Sequence, residues 1–385
     1  MAGKETKQMI ADVFQELADT LETGRSVSST VALTALGSEH DEAELVEAAK
    51  SAADKGISVK VIGTRKIDYS GIESCLVSDA DEGHKKLEAL LAEGIVDAGV
   101  TMHYSFPIGV STVGRVITPA KGKHMYLATT TGTSALNRVE ALVKNALYGI
   151  ITAKACGVAE PTIGLLNIDG VRQAELVLKQ LAENGYPIHF AQSNRSDGGA
   201  IMRGNDLLAG TCDVMVMDSL TGNILQKIFS SYNTGGNYEA LGFGYGPGVG
   251  EEMDKLIMIV SRASGAPVVS GAIEFADELI RGDFIQIQKT EFEKLKGASL
   301  DALLKGVQAQ KEEVQETVAQ PEKEIVTEEI HGVEILDLED AVQQLWKHGI
   351  YAESGMGCTG PVVMIAEKRL SEAKNILADS GYIGR

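Results

Sequence analysis

One cysteine stands apart from the rest of the chain. Cys358 lies in the stretch ESGMGCTGPVV, residues 353–363, among glycines, a threonine and a proline. Two readings are open: a small residue in a tight turn, or a turn that presents sulfur to a substrate. A glycine-rich turn can direct backbone N–H groups outward and hold a thiolate, the reactive form of the side chain. Cys156, in ITAKACGVAE, and Cys212, just before an apolar run, read as core residues, whereas Cys75 is ambiguous. The four cysteines are scattered, with no CxxC pair and no Cys/His cluster, so neither a zinc site nor a disulfide framework is expected. The seven histidines show no ligand spacing, and no GxSxG elbow is present. A covalent mechanism would therefore fall to a cysteine.

A second group of chemistry-bearing residues lies in DVMVMDSLTGNILQK, residues 213–227. An apolar run ends at Asp218, Ser219 and Thr221 can cap the helix that follows, and Gly222 allows backbone to approach closely. Lys227 adds a positive charge one to two turns into that helix. A capped helix after a core strand explains the same pattern without any ligand. TIGLLNIDGVRQ repeats the theme with Asn167, Asp169, Gly170 and Arg172, but many α/β turns look like it. In LGFGYGPGVGEEMDK, residues 241–255, five glycines alternate with other residues. That suits a lid, a backbone surface against a ligand, or a plain turn. The Walker signature and a strand-led GxGxxG are both absent, so nucleotide binding loses its usual marks.

These residues need a scaffold, and the hydrophobic pattern supplies one. Short β-branched runs (VALTAL at 31–36, VKVIG at 59–63, MYLAT at 125–129, TIGLLNI at 162–168, DVMVMD at 213–218) alternate with amphipathic helical stretches. That alternation predicts an α/β fold: a doubly wound, mostly parallel sheet with a small C-terminal α/β appendix. The expected divisions are a helical segment over 1–27, the α/β domain over 28–305, an acidic linker over 306–328, and a small α/β domain over 329–385. In the first, Ile10, Val13, Phe14, Leu17 and Leu21 have helical spacing. The last reads as α-β-β-α, with Cys358 at a hairpin tip and GPVVMI as its second strand.

The composition is that of a globular enzyme, with 44% apolar and 23% charged residues. A net charge of −19 argues against nucleic acid and anionic membrane as partners, though not against a small anion held locally. No apolar run reaches the roughly 18–20 residues needed to span a bilayer. The opening MAGKETKQMIADVFQEL is polar and helix-like, and a cytoplasmic protein is expected.

With IGLLNIDG, CDVMVMDSLTGNILQK and SGAPVV in view, residues 28–290 resemble the phosphate acyltransferases of phospholipid synthesis, relatives of the phosphotransacetylases. Asp218, Thr221, Gly222, Asn223 and Lys227 match that family's D-G-F-T-G-N-x-x-L-K segment, which implies a phosphate/acyl site there. Ser219-Leu220 replace its Gly-Phe, and Thr34–Glu39 replace its opening D-A-M-G-G-D. Both departures point away from long-chain acyl substrates.

Over the full length, GMGCTGP included, the chain resembles the component C alpha subunits of glycine/sarcosine/betaine reductase complexes. The resemblance implies that Cys358 carries an acetyl unit as a thioester. That unit derives from a carboxymethyl selenoether on selenoprotein component A, and inorganic phosphate releases it as acetyl phosphate. It also implies a component C beta subunit as partner, with no cofactor and no metal. His348 is a candidate base for Cys358. A free-standing phosphate acyl- or acetyltransferase acting on a carrier or CoA thioester, and a non-catalytic scaffold subunit, remain alternatives.

Overall fold

The computed structural model describes residues 29–195, 198–306, 320–333, 337–357 and 360–383. The helical segment expected over 1–27 and the first half of the expected linker therefore lie outside the described residues, as does Cys358.

In the first half of the chain the strands are β1 (Thr30–Thr34), β2 (Ser58–Gly63), β3 (Ile72–Leu76), β4 (Ala98–Thr101), β5 (Val110–Ile117) and β6 (His124–Thr133). They continue as β7 (Thr162–Leu166), β8 (His189–Phe190), β9 (Ile201–Met202), β10 (Val214–Val216), β11 (Gly246–Val249) and β12 (Leu256–Ile259). The helices among them are α1 (Glu42–Asp54), α2 (Ala80–Ala92), α3 (Arg138–Ala155), α4 (Val171–Glu183), α5 (Gly204–Ala209), α6 (Ser219–Ser231), α7 (Ala266–Arg281) and α8 (Phe284–Gly297). All twelve strands join one sheet in the order β3-β2-β1-β4-β12-β11-β5-β6-β10-β7-β8, with β9 also on β7.

The sheet has two parallel wings. β3, β2, β1, β4 and β12 run parallel in one; β6, β10, β7, β8 and β9 do so in the other. Strands such as β1 and β12 are buried along nearly their whole length, because helices cover both faces of the sheet. This is the mostly parallel α/β sheet expected from the alternation of β-branched runs and helices.

The join between the wings differs from expectation. β11 is antiparallel to both β12 and β5, and β5 is antiparallel to β6. The middle of the glycine-rich stretch, Gly246–Val249, is β11, a buried strand in mid-sheet rather than a lid, with turns on either side of it. The alternation of glycine reflects crowding. A Cβ on Gly246 would lie 1.8 Å from Val113 O, and one on Gly248 would lie 2.4 Å from the Phe106 ring. Gly246 also has φ +83°, a conformation side chains seldom adopt.

The C-terminal residues build a separate three-stranded antiparallel sheet in the order β13-β15-β14, from β13 (Glu328–Ile330), β14 (Ala352–Gly357) and β15 (Gly360–Ile365). α9 (Leu338–Lys347) and α10 (Leu370–Asp379) pack with it around a core of its own that includes Leu345, Ile350, Val363 and Leu377. GPVVMI is a strand, as its valines indicate. β13 is an addition to the expected α-β-β-α order: Glu328–Ile330 is too short and too acidic to stand out as a strand. Lys323 and Glu324, in the expected linker, pair with Glu353 and Lys368, so the chain is tied to this sheet before β13 begins.

Candidate functional site

Asp218, Thr221, Gly222, Asn223 and Lys227 come together on the N-cap and first three turns of α6, which starts where β10 ends. Asp218 is the N-cap: its carboxylate accepts from Thr221 N at 2.9 Å and from Thr221 Oγ1 at 2.7 Å. Gly222 lets the helix lie directly on β6, since a Cβ there would sit 1.7 Å from Thr129 O. Asn223 Nδ2 donates to Thr130 O at 3.2 Å, fastening the same two elements. Four of the five residues thus start the helix and seat it on the sheet. Lys227 alone among the five offers a cation.

The Lys227 ammonium is half-exposed. It donates to Ser261 Oγ at 3.2 Å and lies 3.4 Å from the Glu239 carboxylate, with the Tyr245 ring 5.9 Å away. Burial works against its charge, but the Tyr245 hydroxyl and Glu239 outweigh burial and raise its pKa above the ordinary lysine value. Glu239 is buried, and its other oxygen accepts from Ser264 Oγ at 2.7 Å. Lys227 of one wing is thereby held against Ser261, just beyond β12 of the other.

Glu239, Ser261 and Tyr245 were not singled out in the sequence. One signal was available. Between Ser219 and Gly250 the only charged residues are Lys227 and Glu239, and a lone pair of opposite charges in an uncharged stretch is a candidate ion pair.

Beside this network a pocket of about 390 Å³ opens at the ends of β4, β6 and β12, with His103, Tyr104, Phe106, Thr131, Thr133 and Ile259 in its wall. Thr131 follows the carbonyl that Asn223 holds, and Ile259 lies two residues before Ser261. Pocket and lysine therefore share the same strand ends, the place where open α/β sheets collect ligands. The arrangement can offer an anion one half-exposed ammonium and nearby hydroxyls, next to a cavity large enough for a small acyl thioester.

The remaining sequence candidates separate cleanly. Gly170 takes φ +81° at the start of α4, Asp169 pairs with Arg138, and Arg172 lies 3.3 Å from Glu175. That turn is a helix start held by one ion pair to the start of α3 and one within α4. Cys212 is a core residue and Cys156 is partly buried against the core, and burial pushes both thiols up to about 12. Cys358 lies outside the described residues, and β14 and β15 pair up to Gly357 and Gly360 on either side of it in the chain. His348 closes α9, its Nδ1 donating to Gln344 O at 2.9 Å, so one ring nitrogen is already committed to the helix end. Among the described residues no cluster of His, Cys, Asp or Glu could hold a metal, and no helix is long and apolar enough to cross a membrane.

The site thus sits on a two-winged, mostly parallel α/β sheet, with a capped helix and a lysine at its strand ends. Residues 29–364 match the family described as fatty acid synthesis protein, and the chain belongs to that family. Within it, the chain is 54% identical over 382 residues to the glycine/sarcosine/betaine reductase complex component C subunit alpha of Peptoclostridium acidaminophilum, covering 98% of this chain and 99% of that protein. It is also 32% identical over 159 residues to the phosphate acyltransferase of Thermotoga neapolitana, covering 36% of this chain and 45% of that one. Among solved structures, a branched-chain phosphotransacylase from Enterococcus faecalis V583 aligns over 66% of this chain and 99% of its own, with 18% identity and a TM-score of 0.43.

Proposed function

We propose that this chain is the acetyl-transferring alpha subunit of component C in a glycine/sarcosine/betaine reductase complex. The observation that carries this reading is the end-to-end similarity to such a subunit, which spans the α/β body and the C-terminal sheet together. A dithiol reductant cleaves the C–Se bond of the carboxymethyl selenoether on selenoprotein component A and frees the selenol, and the two-carbon unit joins the Cys358 sulfur as an acetyl thioester while its carboxyl group loses one oxygen as water. A phosphate oxygen then attacks the thioester carbonyl, the C–S bond breaks, the thiolate leaves, and acetyl phosphate departs. Phosphate binds beside Lys227 on α6, with the acetyl group in the adjoining pocket. The component C beta subunit completes the assembly, and the reaction runs in the cytoplasm without metal or cofactor.

The test runs the last step backwards. Purified chain, with its beta partner, is incubated with acetyl phosphate in the absence of free phosphate and analysed by peptide mass spectrometry. One acetyl group on the Cys358 peptide, removable by hydroxylamine, is the expected result. A folded protein that takes up no acetyl group would sink the thioester and favour direct transfer from a thioester to phosphate in the α/β body.

The lysine makes a separate prediction. Lys227→Met should raise the KM for phosphate by about 10- to 100-fold, the loss of one charge-assisted hydrogen bond worth roughly 1.5–3 kcal/mol. It also leaves buried Glu239 without its cation, so stability should fall. Adding Glu239→Gln should restore stability but leave the KM high. Recovery of both together would mean that Lys227 is structural only. Because its pKa is raised, the lysine keeps its charge at neutral and mildly alkaline pH and loses it only above its ordinary value of 10.5. The wild-type KM should therefore show no lysine titration across that range.

A further inference from the structure

We propose that the Tyr245 hydroxyl is a further catalytic group of the α/β body, the hydrogen-bond donor to the carbonyl oxygen of the acetyl unit while phosphate attacks it. The inference rests on the acetyl-transfer reading above and deepens it.

Tyr245 stands where the lysine and the pocket meet. It is 4% exposed and lies in the turn just before β11. Its ring packs with Ile259, Tyr104 and Phe106, and all three belong to the pocket wall. Its backbone is tied to the same wall. Tyr245 N donates to Ile259 O at 2.8 Å, and Tyr245 O accepts at 2.7 Å from Thr130 Oγ1, one residue before Thr131 of the pocket. On its other side the Lys227 ammonium is 5.9 Å from the ring centroid, and the hydroxyl lies beside Lys227 and Ser261. A carbonyl held in the pocket, with phosphate on the lysine, has this hydroxyl next to the bond being made.

A phenylalanine ring would divide lysine from pocket equally well, so the oxygen needs its own reason. A buried hydroxyl costs solvation unless it has a partner to serve. Ser261 shows which way the hydrogen bonds run. Its Oγ already accepts from Lys227 Nζ at 3.2 Å and from Ala263 N at 3.1 Å. With both acceptor positions filled its proton is left to donate, and it donates, as Lys227 does, toward the Tyr245 oxygen. A hydroxyl oxygen facing two donors turns its own proton away from both. Burial above all, and then Glu239, hold that proton on against the pull of Lys227 and Ser261, so Tyr245 is a donor at neutral pH.

When a phosphate oxygen adds to the acetyl carbon, the carbonyl π pair moves onto oxygen, which takes the negative charge. Tyr245 donates a hydrogen bond to that oxygen and keeps its proton. The pair then returns as the C–S bond breaks and the thiolate leaves. A donor aimed at charge that exists only during the attack lowers the barrier without tightening phosphate binding.

Tyr245→Phe, which keeps the ring, tests this. Release of acetyl phosphate from the Cys358 thioester should slow by about 100-fold in kcat, the loss of one oxyanion donor, with the KM for phosphate within about 2-fold of wild type. Tyr186→Phe is the control. Its hydroxyl is just as buried but donates to Glu291 at 2.7 Å in the core, so its loss should lower the melting temperature and leave kcat alone. An unchanged kcat in folded Tyr245→Phe protein would overturn the proposal, as would an equal loss of kcat in Tyr186→Phe. So would a raised KM with kcat intact, because Tyr245 would then act only by holding Lys227. A wild-type chain that forms no thioester on Cys358 would sink the earlier reading instead. The two variants are then compared on transfer from a small acetyl thioester to phosphate, where the carbonyl enters the same pocket, the same drop is expected and its absence is again decisive.

Discussion

Replacing Cys358 with serine is expected to remove the hydroxylamine-labile acetyl group and to slow acetyl phosphate formation by about 10³-fold or more, since loss of a covalent nucleophile can cost up to about 10⁶-fold. Serine keeps the shape of the side chain but not its acidity. A hydroxyl is almost wholly un-ionised at neutral pH, and an oxygen ester releases its acyl group to phosphate far less readily than a thioester. Cys156 and Cys212 do not supply a substitute. With Cys156 and Cys212 pushed up to about 12, fewer than about one in 10⁴ of either is thiolate at neutral pH. Alkylation of the native protein should accordingly spare both. Turnover at the wild-type rate in a folded Cys358→Ser protein would move the chemistry to the α/β body, leaving Lys227 and the neighbouring pocket to support direct transfer.

The parts legible in the sequence are those where local and tertiary demands agree. β1, β2, β6, β7 and β10 are β-branched runs because both faces are buried, and a capped helix does follow the apolar run that ends at Asp218, although the cap is the Asp218 carboxylate and not the expected Ser219 or Thr221 hydroxyl. β11 failed for a specific reason. Strand signals rest on β-branched and aromatic side chains, whereas Gly246, Gly248 and Gly250 are there because neighbours leave no room for side chains. Its antiparallel pairing to β12 and β5 was hidden with it.

The candidate site was legible only along one helix. Asp218 to Lys227 are contiguous, so a motif can hold them. Glu239 and Ser261 reach Lys227 from 12 and 34 residues away, across the junction between wings, and that juxtaposition is a property of the sheet order. A hydrophobic row on α6 is similar. Leu220, Ile224 and Ile228 fit an ordinary amphipathic helix in the sequence, and only the fold shows which face is outside.

That seating of α6 on the sheet leads to the other large effect, at Gly222. In most exposed helix positions, replacing glycine by alanine stabilises by about 0.5–1 kcal/mol, because the unfolded chain loses freedom. Here the sign should reverse. The new Cβ would fall 1.7 Å from Thr129 O and 2.8 Å from its carbonyl carbon, and both are backbone atoms that cannot rotate aside. Relief requires α6 to retreat from β6 by more than 1 Å, stretching the 3.2 Å bond from Asn223 to Thr130 O and shifting Lys227 relative to Ser261. Overpacking of this kind costs on the order of 3 kcal/mol, well above the gain from alanine. The main thermal transition should therefore fall by about 5–10 °C for Gly222→Ala, with a higher KM for phosphate in whatever remains folded. Gly297→Ala is the control, since nothing lies within 4 Å of the added Cβ and its φ is not positive, so that variant should melt at or slightly above the wild-type temperature. Two alanines of like effect would mean that α6 is not pressed against β6. A normal melting point with a raised KM would instead assign Gly222 to the ligand rather than to the helix–sheet contact.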